Sequence, residues 1–176
     1  MGTSSEFKLS DFIYLASQSP RRQELLAQMG VRFKLLLPET KTHSALRQEL
    51  LALEALEAHQ APESAVQYVN RVTRLKYQAA RLRANALGKR FDARAPILCA
   101  DTTVCLDKRI LGKPRSAKEA KEMISALSGR THQVYTSVIM GRAGVIEQRL
   151  SRSRVSMGTW SSAQINAYVA SKEWMG

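Results

Sequence analysis

The chain has 176 residues, about one ordinary domain, with 44% hydrophobic residues and only 9 Gly and 5 Pro, which excludes collagen-like, low-complexity and wholly disordered classes. No run approaches the roughly 18 consecutive apolar residues of a membrane span, and the N-terminus lacks the pattern of a secretory signal, so a soluble cytoplasmic protein with no membrane partner is expected. Lys and Arg total 27 against 15 Asp and Glu, a formal charge of +12 and a pI near 10.2, which favours a polyanionic partner.

Met1 to Ser10 is small and polar and reads as an expression-tag remnant or a disordered terminus, outside the fold. The domain then runs from Asp11 to Gly176. Phe12 to Ala16 reads as a short buried strand. Pro20 to Met29 reads as a helix with Ser19 as N-cap, Pro20 in its first turn, Gly30 just past its end, and an apolar stripe of Leu25, Leu26 and Met29. Val31 to Leu37 is strand-like, and Glu39 to Ala61 reads as a loop and a modest helix. From Pro62 the apolar positions Val66, Val69, Val72, Ala79 and Leu82 keep a helical period to about Leu87. This helix and the turn after it carry Arg71, Arg74, Lys76, Arg81, Arg83, Lys89, Arg90 and Arg94, opposed within the stretch only by Asp92. A solvated helix face explains that charge. Aromatic residues are only 6% of the chain and no reading-helix or RNA-sheet motif occurs, so no specific nucleic-acid partner is expected.

Ile97 to Leu106 is the strongest strand, closed by the turn Asp107-Lys108-Arg109. Ser116 and Glu119 form a capping box opening a helix with Ala120, Met123, Ile124 and Leu127 on its inner face and Gly129 at its end. Thr131 to Met140 and Val145 to Met157 read as a hairpin around Gly141-Arg142-Ala143-Gly144. Ser161 and Gln164 form a second capping box before a last short helix with Ile165, Tyr168 and Val169 as its stripe. Strands and helices alternate without an internal repeat, so the fold class is α/β (mixed α+β), in one domain. Cys99 and Cys105 lie on one strand about 20 Å apart at ~3.3 Å per residue, too far for a disulfide, and read as buried thiols. His43, His59 and His132 are scattered, without partners at metal-ligand spacing, and read as surface or polar-core residues.

Three segments carry candidate chemistry. In Ser17-Gln18-Ser19-Pro20-Arg21-Arg22 a strand turns directly into a helix N-terminus. Free N–H groups, two hydroxyls and two guanidiniums there suit a phosphate, while ordinary capping with solvated arginines suits the same spacing. In Ala100-Asp101-Thr102-Thr103 an acid interrupts a run suited to a buried strand. Such a carboxylate is costly unless paired or coordinating a cation, and it can hold Mg²⁺ or deprotonate water. Leu111-Gly112-Lys113-Pro114 offers a point charge on a stiff loop. Together they supply a metal site, a base and cations, as hydrolysis of a phosphoanhydride needs. Ser17 lacks the elbow and the placed histidine of an acyl-transfer nucleophile.

The ordered set LASQSPRRQELLAQMG, CADTTV, ILGKP, LSGRTHQVYT and INAYVAS, spanning Tyr14 to Glu173, resembles the Maf family of nucleoside triphosphate pyrophosphatases. The resemblance implies a mixed α/β fold with a cleft between two lobes, similar to the inosine triphosphatase architecture. It also implies cleavage of a nucleoside triphosphate to monophosphate and pyrophosphate with a divalent cation, Mg²⁺ or Mn²⁺. By matching motif, Asp101 corresponds to the proton acceptor, and Ser17, Arg21, Arg22 and Lys113 to phosphate-side residues. Lys76 matches a family lysine. Arg21 and Thr102 match positions associated with substrate choice, and the doubled arginine is similar to the branch acting on dTTP and UTP.

Three departures stand out. After the second strand the acids thin to Glu39, leaving Glu39 and Asp101 as the expected metal ligands. Leu75 stands where the family commonly has a glutamate before its lysine. Residues 173–176 end the sequence where the family continues into a Gly-rich segment, further strands and a closing helix. The expectation is therefore a domain lacking its C-terminal segment, with the phosphate-binding half kept, base selectivity weakened and self-association into a homodimer favoured by the exposed edge. Leu75 and the thinned acids also fit an alternative, a catalytically weak nucleotide-binding or cell-division interaction protein. A basic RNA-associated module, suggested by charge alone, is the third reading.

Overall fold

In the computed structural model the described residues are 10–37, 47–48, 51–52, 55–58, 60 and 62–175. They form a mixed α/β fold of six strands and four longer helices, with helical residues also at 47–48, 51–52 and 55. Strand β1 (Ile13–Leu15) leads into helix α1 (Pro20–Gln28) and then β2 (Phe33–Leu35). The long helix α2 (Ala65–Leu87) follows, then β3 (Ile97–Leu106), β4 (Arg109–Leu111), α3 (Ala117–Leu127), β5 (Thr131–Arg142), β6 (Val145–Ser156) and α4 (Ser162–Ser171). The strand order is β2-β1-β3-β5-β6, with β4 paired to β3 beside this path. β1 runs parallel to both β2 and β3, while β3, β4, β5 and β6 are joined antiparallel.

The long helix is fixed at its start by Ser64, whose hydroxyl accepts from the Gln67 N–H while the Gln67 side chain accepts from the Ser64 N–H, satisfying two donors that a helix N-terminus leaves free. Its Ala79, Ala80 and Ala84 are buried, and such small side chains let the helix approach the sheet closely. Tyr77, Ala80 and Ala84 meet Tyr14, Leu36, Ala95, Ile97, Cys99 and Ile139 in the core. Tyr14 stacks on Phe91 with ring centroids 4.6 Å apart, and its hydroxyl accepts from the Asp92 N–H at 3.1 Å. At the α2–β5 contact a Cβ on Gly141 would lie 1.9 Å from the Tyr77 hydroxyl, so only glycine fits. Side chains alternate along a strand, so Ile97, Cys99 and Asp101 face α2, while Val104 faces α3. On that second side Val104 and Leu111 meet Met123, Ile124 and Leu127 around a shallow apolar groove closed by Tyr168 and Trp174.

Several expectations are corrected. Helix α1 buries none of its residues, and Leu25 and Met29 are 58% and 74% exposed; its apolar stripe has the helical spacing but no described element covers it. Ser19 holds the N-cap position but makes no side-chain cap bond. Arg109 opens β4 rather than closing the turn, because Asp107 and Lys108, both with positive φ, suffice for a two-residue hairpin connection. The Ser116 hydroxyl accepts from the Glu119 N–H, but the Glu119 carboxylate accepts from the Arg115 N–H, one residue earlier than a reciprocal box requires. The β5–β6 strands run on through Gly141 and Arg142, leaving Ala143 and Gly144, both with positive φ, as the connection. Strands β1 and β2 are shorter than expected. The second box, Ser161 with Gln164, is complete, and both cysteines are free and buried.

Candidate active site

The site is a gap in one edge of β3. β5 pairs with β3 along Ile97 to Cys105 on one side. On the other, β1 pairs only as far as Leu98, where the Ala16 N–H still donates to the Leu98 carbonyl at 2.9 Å. β4 begins its pairing at Val104. Among the described residues no strand covers this edge from Cys99 to Thr103. β1 is parallel to β3 and β4 antiparallel, so the carboxyl ends of both point into the gap. The loop starting at Ser17 enters from one end and Gly112-Lys113-Pro114 from the other. Asp101 sits at the centre.

Ser17 is buried, and its Oγ accepts from the Ser19 N–H at 3.2 Å and from Arg22 Nη1 at 3.0 Å. The hydroxyl that orders the turn is therefore Ser17, which leaves the α1 N-terminus free of a side-chain cap and aims one guanidinium back toward β3. Arg21 is exposed, as is Lys113. Burial pushes the Cys99 thiol up to about 12, against the opposing pull of Arg83, Lys76 and Arg22. Two candidate cations, one on α1 and one on α2, thus lie within electrostatic reach of the residue two before Asp101.

Lys76 meets Asp101 directly, Nζ to Oδ1 2.5 Å, with the Asp101 side chain 14% exposed. The same ammonium lies 3.7 Å from Glu57 Oε2. This is the pairing a half-buried carboxylate requires. It also shows why the charge count along the basic stretch misled: Lys76 and Arg71 find acids outside that stretch. Arg71 grips Glu63 with two bonds, 2.6 Å and 2.8 Å, and donates to the carbonyls of Leu56 and, at 3.0 Å, Ala58. Through those two carbonyls it fixes the turn that carries Glu57. Burial raises the Tyr68 phenol above its usual range and the negative charge of Asp101 raises it further.

Glu39, expected as a metal ligand, lies outside the described residues, as do His43 and His59. Glu57 was missed because nothing in an Ala, Leu and Glu-rich segment distinguishes one glutamate from the next. Thr102 lies on the opposite side of β3 from Asp101, as alternation demands, and its hydroxyl is bonded to that of Thr136 at 3.1 Å. His132 is buried on that same opposite side, and its Nδ1 has no hydrogen-bond partner among the described residues.

Two carboxylates, Asp101 and Glu57, converge on one cationic point. Hard oxygen donors in that number fit Mg²⁺ or Mn²⁺, since Mg²⁺ is commonly held by one or two carboxylates and completed by substrate phosphates and water. No group of three or more His, Cys, Asp or Glu side chains forms a metal site among the described residues. No helix among them is long and apolar enough to cross a membrane.

Comparison with known proteins adds to this geometry. Residues 12–176 match the family described as Maf-like protein. A dTTP/UTP pyrophosphatase from Polaromonas sp. is 50% identical over 95% of this chain and 77% of its own length. Proteins of the same description from Albidiferax ferrireducens and Burkholderia orbicola are each 48% identical over 96% of this chain, covering 78% and 74% of their lengths.

Proposed function

The chain belongs to the Maf-like protein family, and we propose that it hydrolyses nucleoside triphosphates, dTTP and UTP foremost, to the monophosphate and pyrophosphate with a divalent cation. The observation that carries this reading is the convergence of Asp101, Lys76 and the Ser17–Arg22 pair on one open edge of β3. The names of its relatives support the nucleotides.

In this mechanism Arg22, Ser17 and the free N–H groups of α1 hold the polyphosphate, as a helix N-terminus and a guanidinium suit an anion. Lys113 adds charge from the opposite loop. A water attacks the α-phosphorus, its proton passes to Asp101 Oδ, the bond from the α-phosphorus to the bridging oxygen breaks, and pyrophosphate leaves. Lys76, already on Asp101, orients the base and offers its charge to the phosphates. A divalent cation, held by Asp101 and Glu57, would neutralise phosphate charge and make the attacking water more acidic. Arg21, exposed beside Ser17 and Arg22, is the residue proposed for base choice; Thr102, the other residue expected there, is turned to the opposite side of β3 and bonded to Thr136. Free, buried thiols suit the reducing cytoplasm, where nucleotides are found.

The test is to incubate the protein with Mg²⁺ and each triphosphate in turn and to identify the products. Monophosphate plus pyrophosphate is expected, fastest from dTTP and UTP. Diphosphate plus phosphate, or nucleotide binding without turnover, overturns the proposal, and the latter would leave the nucleotide-binding alternative. Asp101→Asn should lower turnover by about 10²–10⁴-fold with an unchanged circular dichroism spectrum.

A further inference from the structure

We infer that Gln148 is a positioning residue for this site, setting the separation of Lys76 and Asp101 from the β6 edge of the sheet; the inference rests on the function proposed above. Gln148 lies on β6, opposite Ile139 in the β5–β6 ladder, and therefore faces α2. Its amide nitrogen donates to Ser137 Oγ at 2.9 Å and, at 3.2 Å each, to the carbonyl and the side-chain oxygen of Asn70. Its amide oxygen accepts from Arg74 Nε at 2.7 Å.

The partners make this arrangement more than a surface contact. Ser137 is fully buried and is the β5 residue directly across from Asp101 in the β3–β5 ladder. Asn70 and Arg74 are one turn apart on α2, and Arg74 precedes Lys76 by two residues. A single side chain thus touches the strand position paired with the base and the helix that carries the lysine. The alanines and apolar side chains of α2 set how closely it packs on the sheet, but such contacts carry no direction. Directional bonds to both N–H and C=O ends of one amide fix the register. A displacement of about 1 Å between reacting groups can cost ~10²-fold in rate.

The experiment is a double-mutant cycle on the whole chain with dTTP and Mg²⁺. Gln148→Met keeps the length and removes every hydrogen bond. It is expected to lower kcat by about 10–100-fold while KM moves less than about threefold, since Arg22 and Ser17 are untouched. On a Lys76→Met background the same change should cost less than about twofold, because a residue acting through Lys76 has nothing left to act on. Ser137→Ala, the milder variant should Gln148→Met fold poorly, is expected to show the same pattern at smaller amplitude. Equal losses on both backgrounds, or an unaltered kcat, overturn the inference. Crystals of Gln148→Met read the placement without turnover: Lys76 Nζ should lie beyond about 4 Å from Asp101 Oδ1, and a retained hydrogen bond overturns the inference. Absent wild-type turnover alongside a lengthened pair would instead sink the proposed function alone.

Discussion

Lys76 and Asp101, 25 positions apart in the chain, are joined by a bond of 2.5 Å between helix α2 and the middle of β3. Each answers a cost carried by the other: a carboxylate on a strand facing a helix, and an ammonium on the inward side of a helix. Removing one partner leaves the other charged and half-buried. Lys76→Met is therefore expected to destabilise the fold by about 1–3 kcal/mol in urea denaturation, and to lower turnover by ~10²-fold or more. Adding Asp101→Asn to it should recover part of the stability and none of the activity.

The α2–β5 contact leaves no room at Gly141. A β-carbon there would meet the Tyr77 hydroxyl at 1.9 Å and its ring carbon Cζ at 2.5 Å. Gly141→Ala should cost about 1–3 kcal/mol by overpacking, read from the urea midpoint. Tyr77→Phe in the same chain should restore only part of it, since the ring carbon remains in the way.

Cys99 gives the alkaline limb of stability a sign. Its thiol titrates at about 12 in the folded chain, against 9.0 when unperturbed, because burial disfavours the thiolate. Between those values the folded state holds a proton that the unfolded state has lost. Stability from this group is thus complete below pH 9 and declines as pH rises toward 12, with a limiting slope near 1.4 kcal/mol per pH unit. Cys99→Ala should flatten that slope, and a thiol reagent should leave Cys99 unlabelled until the chain is unfolded.

Arg22 is expected to act in binding, since it reaches Ser17 at the mouth of the gap and not the Lys76–Asp101 pair. Arg22→Lys replaces a planar fork by a point charge and should raise KM for dTTP about tenfold with kcat nearly unchanged. A matching fall in kcat with unaltered KM would place Arg22 at the reacting phosphorus instead.

Much of the fold was legible because its signals are local. Ile97–Leu106 carries a continuous run of strand formers ended by a turn, and its predicted and observed limits coincide. Ser161 and Gln164 satisfy their helix start by contacts three residues apart, which spacing alone reveals. The α1 stripe was also correctly spaced, yet Leu25 and Met29 remain exposed, because periodicity says which side chains share a face and not what covers it.

Asp101 stood out in the sequence because an acid within an apolar strand must be compensated somewhere, and the chain's motifs gave the family that its relatives share. The compensation itself was illegible. Lys76 was one of many cations along a helix, Glu57 one of several glutamates, and Gln148 a polar residue on an exposed strand. The sequence by itself determined the elements, the basic charge and the aspartate that needed a partner. The tertiary structure alone decided which lysine reached it, that the β1 and β4 loops enter one gap in the β3 edge from its two ends, and that Thr102 faces the other way. Pairing energies depend on distance through space, and chain folding brings together groups whose separation along the sequence carries no information about it.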